Sequence, residues 1–334
     1  MPLLPGKLPV ALLQQLLRFR GATDRRVVLG PAFGQDAAVI DLGSQYLILK
    51  SDPVTFTVEE IGWYAVHVNA NDVAVMGARP AWFQPTIIVP DHTAPGTVRQ
   101  IVRDIDRSAR QLNIAVTGGH TEVSTAVNQP IVAGDMQGVV RRDALVTSAG
   151  ARIGDIIIMT KCAGIEGTSI IARRFARVAR TVLGTRAQRE AARFHHRPGL
   201  SVVSEALLAA RAGATAMHDP TEGGVAAALF ELATASGRRL VVDLDRIAVH
   251  SHTLRLCGYL GLRPLGLIGS GALLVTISGQ KADSLLHAFN RRRIPAAVIG
   301  TVGPGRGVEA RRAGKRVRFE WSQRDELTRL PRNP

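Results

Sequence analysis

Asn69, Asn71 and Asp72 stand within four positions inside HVNANDVAVMGARP, residues 67–80, a stretch otherwise dominated by apolar side chains. Apolar residues fall at 66, 68, 70, 73, 74, 76 and 78, a spacing that predicts a mostly buried helix rather than an alternating strand. Gly77 and Pro80 mark its end. A carboxylate and two amides on a helix that enters the core need partners, because an unpaired buried charge costs several kcal/mol. A metal ion, a ligand or a basic side chain would satisfy them. Local capping would satisfy them too, with no chemistry, and this segment alone does not decide.

Four further places carry residues of the same kind. Asp36 opens a strand predicted over 36–42, after the turn Gly30-Pro31-Ala32-Phe33-Gly34-Gln35, and Asp52 ends the next strand, 45–52. Strand ends that face a crevice are where α/β proteins place ligands, although either residue taken singly reads as a turn or cap. NIAVTGGHTEVS, 113–124, reads as a strand, a glycine turn and a polar segment, and Gly118-Gly119 lets backbone amides approach a phosphate, with His120 and Thr121 following. In HDPTEGGVAAALFELATASG, 218–237, Asp219-Pro220-Thr221 leads through Gly223-Gly224 into a helix whose positive N-terminus suits an anion. Lys7, just after Gly6, is an ordinary surface charge or a phosphate contact.

These pieces, in this order, resemble the AIR synthase-related (PurM-like) superfamily of ATP-using enzymes. NDVAVMGARP is similar to its signature helix, the Gly30–Asp36 turn to its G-x-D/E-D-A-A element, and Asp52 to its strand-terminal aspartate. Gly118–Thr121 matches GG-D/E/H-T, Asp219–Gly224 matches DPT-R-GG, and Ser270–Leu274 matches SGxLL. Within the superfamily the pattern sits nearest the hydrogenase expression/formation group, HypE. Three positions depart from it. Gln35 replaces an acidic residue, Glu222 replaces an arginine, and His120 stands where most relatives have a carboxylate. The sequence ends LPRNP, without the cysteine on which that group carries its substrate.

The resemblance implies a two-domain α/β (α+β) fold, with 1–146 an ATP-binding and dimerisation domain, 147–310 a second domain and 311–334 a basic tail. It implies a homodimer whose first domains form a β-barrel, with ATP and Mg²⁺ bound in the cleft. Asp36, Asp52, Asp72 and Asp219 are the implied metal ligands, since converging carboxylates repel one another unless a cation neutralises them. Lys7, Asn71, Gly118, Gly119, Thr121, Gly223 and Gly224 are the implied nucleotide contacts, and Asp72, His120 and Asp219 the implied catalytic groups. A neutral imidazole is a poor ligand for Mg²⁺, so His120 is assigned to phosphate or substrate. The implied chemistry is activation of an amide or carbonyl oxygen by phosphoryl transfer. The alternatives are a small-molecule kinase like thiamine-monophosphate kinase, or a non-catalytic ATP-binding regulator with a maturation partner protein.

Composition narrows the classes. At 334 residues the chain exceeds one ordinary core, and 46% apolar with 21% charged residues describes a globular protein. Aromatics are only 4%, so the core rests on aliphatic residues. The net charge of +15 admits nucleic acid, but the arginines are scattered, with no aromatics clustered among them and no recognisable motif. An acidic small molecule suits that charge equally. Cys162 and Cys257, far apart, exclude a CxxC zinc site and fit a reducing cytoplasm. The N-terminal segment, broken by Pro5 and Pro9, reads neither as a signal peptide nor as a membrane span.

The remaining segments read coarsely: an amphipathic helix over 8–19, a strand at 84–90, a helix over 96–112 and a strand at 129–140. Residues 171–197 read as a basic helical stretch whose arginine stems cover apolar surface. Residues 304–334 read as a weakly ordered tail after a last strand near 315–320.

Overall fold

The segment around Asp72 is a helix buried on every side, the state expected where apolar residues occupy more than one face. The computed structural model describes residues 3–322 and 324–331. They divide into two compact units, one holding residues 24–30 and 36–145 and the other the remainder of the chain.

In chain order the elements are α1 (Val10–Leu16), β1 (Val27–Leu29), β2 (Ala38–Asp41), β3 (Gln45–Val54), α2 (Ile61–Val75), β4 (Arg79–Val89) and α3 (Pro95–Leu112). There follow β5 (Ala115–Val116), β6 (His120–Val123), β7 (Ile131–Arg141), β8 (Asp155–Thr160), α4 (Ile165–Arg174), α5 (Ala176–Leu183), α6 (Thr185–Ala192) and α7 (Val203–Ala212). The chain continues through β9 (Ala216–His218), α8 (Gly224–Ser236), β10 (Arg239–Asp243), α9 (Ser251–Leu260), β11 (Leu274–Ser278) and α10 (Gly279–Arg291). It closes with β12 (Ala296–Gly303), β13 (Gly307–Arg312) and β14 (Lys315–Val317).

The first unit is a mixed sheet ordered β1-β2-β3-β7-β4-β5, with β6 also paired to β4. Its strands are antiparallel apart from the β4–β5 and β4–β6 pairs. α2 packs against β3, β4, β7 and α3. Strand β7 alternates half-buried and buried residues, the period expected of a sheet covered on one face. Gly134 of β7 lies opposite Asp52 of β3, and a Cβ there would meet the Asn69 side-chain nitrogen and the Phe83 ring, each at 2.5 Å. Glycine leaves the room through which Asn69 reaches β3.

The second unit is a sheet ordered β14-β13-β10-β12-β8-β11-β9, antiparallel except between β10 and β13. Ile157, Met159, Leu229, Leu232, Leu240, Leu274 and Val302 join its aliphatic core. The two-domain PurM-like fold implied by the sequence is the one observed. No helix among the described residues is long and apolar enough to cross a membrane.

Three segments differ from the sequence expectations. The basic stretch 171–197 is not one helix: Phe175 and Gly184 break it into α4, α5 and α6. Residues 120–123, expected as a polar segment, form β6. The segment beyond 311 is not a loose tail. β13 and β14 form a hairpin, Trp321 stacks on Phe230 at 3.6 Å between ring centroids, and Asp325 and Glu326 are buried. Its last three residues, 332–334, lie outside those described.

The left-handed turn into α8 is closely packed. Gly224 has φ +62°, and a Cβ there would lie 2.5 Å from both the Leu265 and Leu267 carbonyl oxygens. Gly224→Ala is expected to destabilise by about 3 kcal/mol or more, combining φ strain with backbone collision. Gly237→Ala, at φ +64° with open space around it, should cost only about 1 kcal/mol. Equal urea midpoints for the two variants would show that the turn yields.

Candidate functional site

In the first unit the sequence candidates converge on α2 and the end of β3. Asn69 donates to the Asp52 carbonyl at 3.2 Å and to the Ala65 carbonyl at 2.8 Å, and its oxygen accepts from the Asp52 N–H at 2.9 Å. One amide therefore pins the backbone of Asp52 to the helix. The Lys50 ammonium stands 3.3 Å from an Asp72 oxygen and 3.5 Å from an Asp52 oxygen. Asp36 and Asp72 carboxylate oxygens lie within 4.8 Å of one another, both residues being buried. Asn71 is fully buried on the same helix.

Lys50 is the basic partner that the buried carboxylate requires, and the sequence reading did not name it. Its signal was present, because residues two apart on a strand share a face and Lys50 precedes Asp52 by two. The donors gathered here are carboxylate oxygens, which fit Mg²⁺, a hard cation that keeps part of its water shell. Asp36, Asp52 and Asp72 could hold such an ion, with Lys50 offsetting charge beside it.

His120 and Thr121 are placed differently. Both are exposed on β6, and the His120 ring faces Glu122 at 3.5 Å. Gly118 and Gly119 are exposed too. A Cβ on Gly119 would lie 2.3 Å from the Pro85 carbonyl oxygen, so close strand approach already accounts for that glycine.

The other candidates lie in the second unit. Lys7 forms an ion pair with Glu231 of α8 at 2.9 Å, and Glu231 also meets the His218 ring nitrogen at 3.1 Å. Burial pushes the Glu231 carboxyl up, but Lys7 and His218 outweigh it and bring it down to about 2. Asp219, next along the chain, is buried at the end of β9. The Gly223 N–H donates to an Asp325 carboxyl oxygen at 2.8 Å, so the α8 N-terminus already meets an acidic side chain of the chain's own.

Glu166 and Asp325 form a second acidic feature of this unit, unforeseen from the sequence because neither belongs to a motif. Glu166, in the first turn of α4, is 5% exposed, and its Oε2 has no hydrogen-bond partner among the described residues. Burial raises its carboxyl to about 7 against a Ser270 hydrogen bond, with Asp325 and Glu222 adding to the rise. Burial likewise raises Asp325 to about 7, against the N–H groups of Leu327 and Gly223.

The folded state thus retains protons that the unfolded chain, with carboxyls near 4.5 and 3.8, has released. Stability from these groups is full below that range and falls as pH rises toward 7. Glu166→Gln, which mimics the protonated acid, should therefore raise Tm at pH 8 and change little at pH 5. The ceiling is about 3 kcal/mol for a rise of this size. A difference that is flat with pH would mean that water reaches Glu166.

Residues 34–140 match the family described as AIR synthase related protein, N-terminal domain, and residues 152–312 its C-terminal domain. A carbamoyl dehydratase HypE from Rhodobacter capsulatus is 30% identical over 242 residues, covering 72% of this chain and 68% of that protein. The crystal structure of a HypE-HypF complex has a chain with TM-score 0.76 and 20% identity, covering 93% of this chain and all of that one. A hydrogenase maturation protein HypE solved in complex with ATP has TM-score 0.69 and 22% identity, covering 97% and 98%. With both family domains matched in order and most of its length accounted for, the chain belongs to the AIR synthase related family.

Proposed function

We propose that the chain is a HypE-like enzyme that binds Mg-ATP and activates a small amide or carbonyl substrate by phosphoryl transfer. The observation that carries this is the gathering of Asp36, Asp52 and Asp72 about α2 with Lys50 among them. The ATP-bound HypE neighbour and the HypE relative support the nucleotide and the reaction class. Bound Mg²⁺ supplies charge neutralisation for the phosphates. The carboxylates hold the ion, Asn69 fixes the backbone that carries Asp52, and Lys50 neutralises charge beside them. Asp219, Asn71, Gly118 and Thr121 keep the roles that the family resemblance implies.

In the reaction the substrate oxygen attacks the γ-phosphorus. The bond from that phosphorus to the β–γ bridging oxygen breaks, and ADP leaves with the electron pair. Catalysis of this kind rests on positioning and electrostatics rather than on a protein nucleophile. Val116, Val123 and Trp82, exposed on β4–β6, support pairing of two copies through the first unit. The HypE-HypF complex supports a maturation protein as a partner.

A second reading is a nucleotide-binding partner that does not turn over. It is favoured by Lys7 and the Gly223 N–H, both implied phosphate contacts, being engaged by Glu231 and Asp325. Calorimetric titration of ATP with and without Mg²⁺ tests the common part, and absence of Mg²⁺-dependent binding would overturn both readings. ADP release with candidate amide and phosphate substrates then separates enzyme from silent binder, and phosphate transfer to an alcohol or phosphate would mark a kinase.

A further inference from the structure

The second unit contains an open cleft of about 1620 Å³ whose charge is strongly one-sided. Seven cationic side chains line it against two carboxylates, Glu190 and Glu205. Glu205 is already neutralised by Lys161 at 2.8 Å, so it does not offset the rest. The remaining cations are Arg173 of α4, Arg189 and Arg193 of and just after α6, Arg197, and Arg292 and Arg293 after α10. They come from three places separated by up to 120 residues, so local composition alone does not gather them.

Arginines elsewhere on the molecule commonly meet carboxylates, as Arg26 does Asp24, Arg142 does Asp41 and Arg263 does Glu326. Among the described residues Arg189, Arg193, Arg197, Arg292 and Arg293 make no ion pair, although all are exposed. A concave wall of one sign concentrates counter-ions of the other. Guanidinium groups are the side chains best matched to phosphate oxygens.

A metal is the competing occupant, since Glu190, His250 and His252 offer ligand atoms within 4.8 Å of one another. His250 Nδ1, however, accepts the His252 N–H at the cap of α9, at 3.1 Å. That bond places the ring proton on Nε2, making the outer edge of His250 a donor, which suits an anion rather than a metal. The aromatic of the cleft, Phe194, is 2% exposed and offers no stacking platform for a nucleic-acid base.

We propose that this cleft binds a small molecule bearing several phosphate groups. Five arginines without carboxylate partners call for an anion of several charges, and the cleft is larger than a single phosphate needs. The lining shares no residue with the carboxylate cluster of the first unit, and the proposal does not depend on the nucleotide reading.

The test is calorimetric titration of the full chain with inorganic tripolyphosphate at low ionic strength. The variants are R189A/R193A and, as a charge-matched control, R99A/R103A, an exposed pair of the same spacing on α3. Tripolyphosphate should bind the wild type and R99A/R103A alike and lose about tenfold or more in affinity in R189A/R193A. R292A/R293A should lose comparably, because it removes the opposite wall. No binding to the wild type, equal loss in the α3 control, or undiminished binding in both cleft variants would overturn the proposal. So would a single-stranded oligonucleotide that binds through these arginines when tripolyphosphate does not.

Discussion

Asp72→Ala should lower affinity for Mg-ATP by about a hundredfold or more, equivalent to about 2.7 kcal/mol, while the chain stays folded. The loss follows from what the carboxylate does. Its oxygens lie within 4.8 Å of those of Asp36, and the same group meets Lys50 at 3.3 Å. Removing it takes a hard donor from the proposed Mg²⁺ site and leaves an ammonium where the ion's charge should be. The fold should survive because Lys50 keeps Asp52 at 3.5 Å, and the methyl of alanine suits a helix packed among apolar neighbours. Asp72→Asn, which keeps the shape and removes the charge, should lose affinity to a similar degree. Calorimetry with and without Mg²⁺, with circular dichroism as the check on folding, measures both. Wild-type affinity in either variant would take α2 out of the nucleotide site.

That Asp72 needed a partner was legible from residues 67–80, because an apolar helix cannot hold a bare carboxylate. Which partner was harder to read. The sequence allowed a metal, a ligand or a base. The structure supplies Lys50, 22 positions earlier, because β3 runs beside α2 in the register that Asn69 fixes. The two-domain fold was legible for a similar reason, since each motif is local and their order carries the topology. His120 illustrates the limit. Its position in the motif was readable, but its exposure on β6 depends on parallel pairing with β4, from Thr86 onward.

Features built by distant partners were the ones the sequence concealed. The C-terminal segment is basic and aperiodic, yet Asp325 is fixed by an amide 102 residues away and Trp321 by a ring on α8. Local pattern holds no trace of either contact. The basic stretch 171–197 reads locally as a solvated face. Only when Phe175 and Gly184 fold it back does it share a cleft with Arg292 and Arg293. Glu166 and Lys161 stayed unremarked because a single charged residue near apolar neighbours usually reaches water.

Lys161→Met should cost the second unit about 3–5 kcal/mol, the usual loss when one partner of a buried ion pair is removed. The lysine side chain is 8% exposed and that of Glu205 5%, so solvent cannot substitute for either. Its ammonium is fully used, meeting Glu205 at 2.8 Å and donating to the Ser201 carbonyl at 2.7 Å and the Gly199 carbonyl at 3.2 Å. Methionine keeps the length of the stem, so the change isolates charge and hydrogen bonding from packing. The loss should then come chiefly from Glu205, stranded without a cation, rather than from a cavity. Lys161→Met/Glu205→Leu removes the stranded carboxylate and should recover most of the stability, leaving only the two carbonyls without their donor. Urea unfolding of the wild type, the single variant and the double variant separates these contributions. A single-variant loss below about 1 kcal/mol would mean that water reaches Glu205. The loop at 199–201, which borders the arginine cleft, would then be held by its backbone rather than by this lysine.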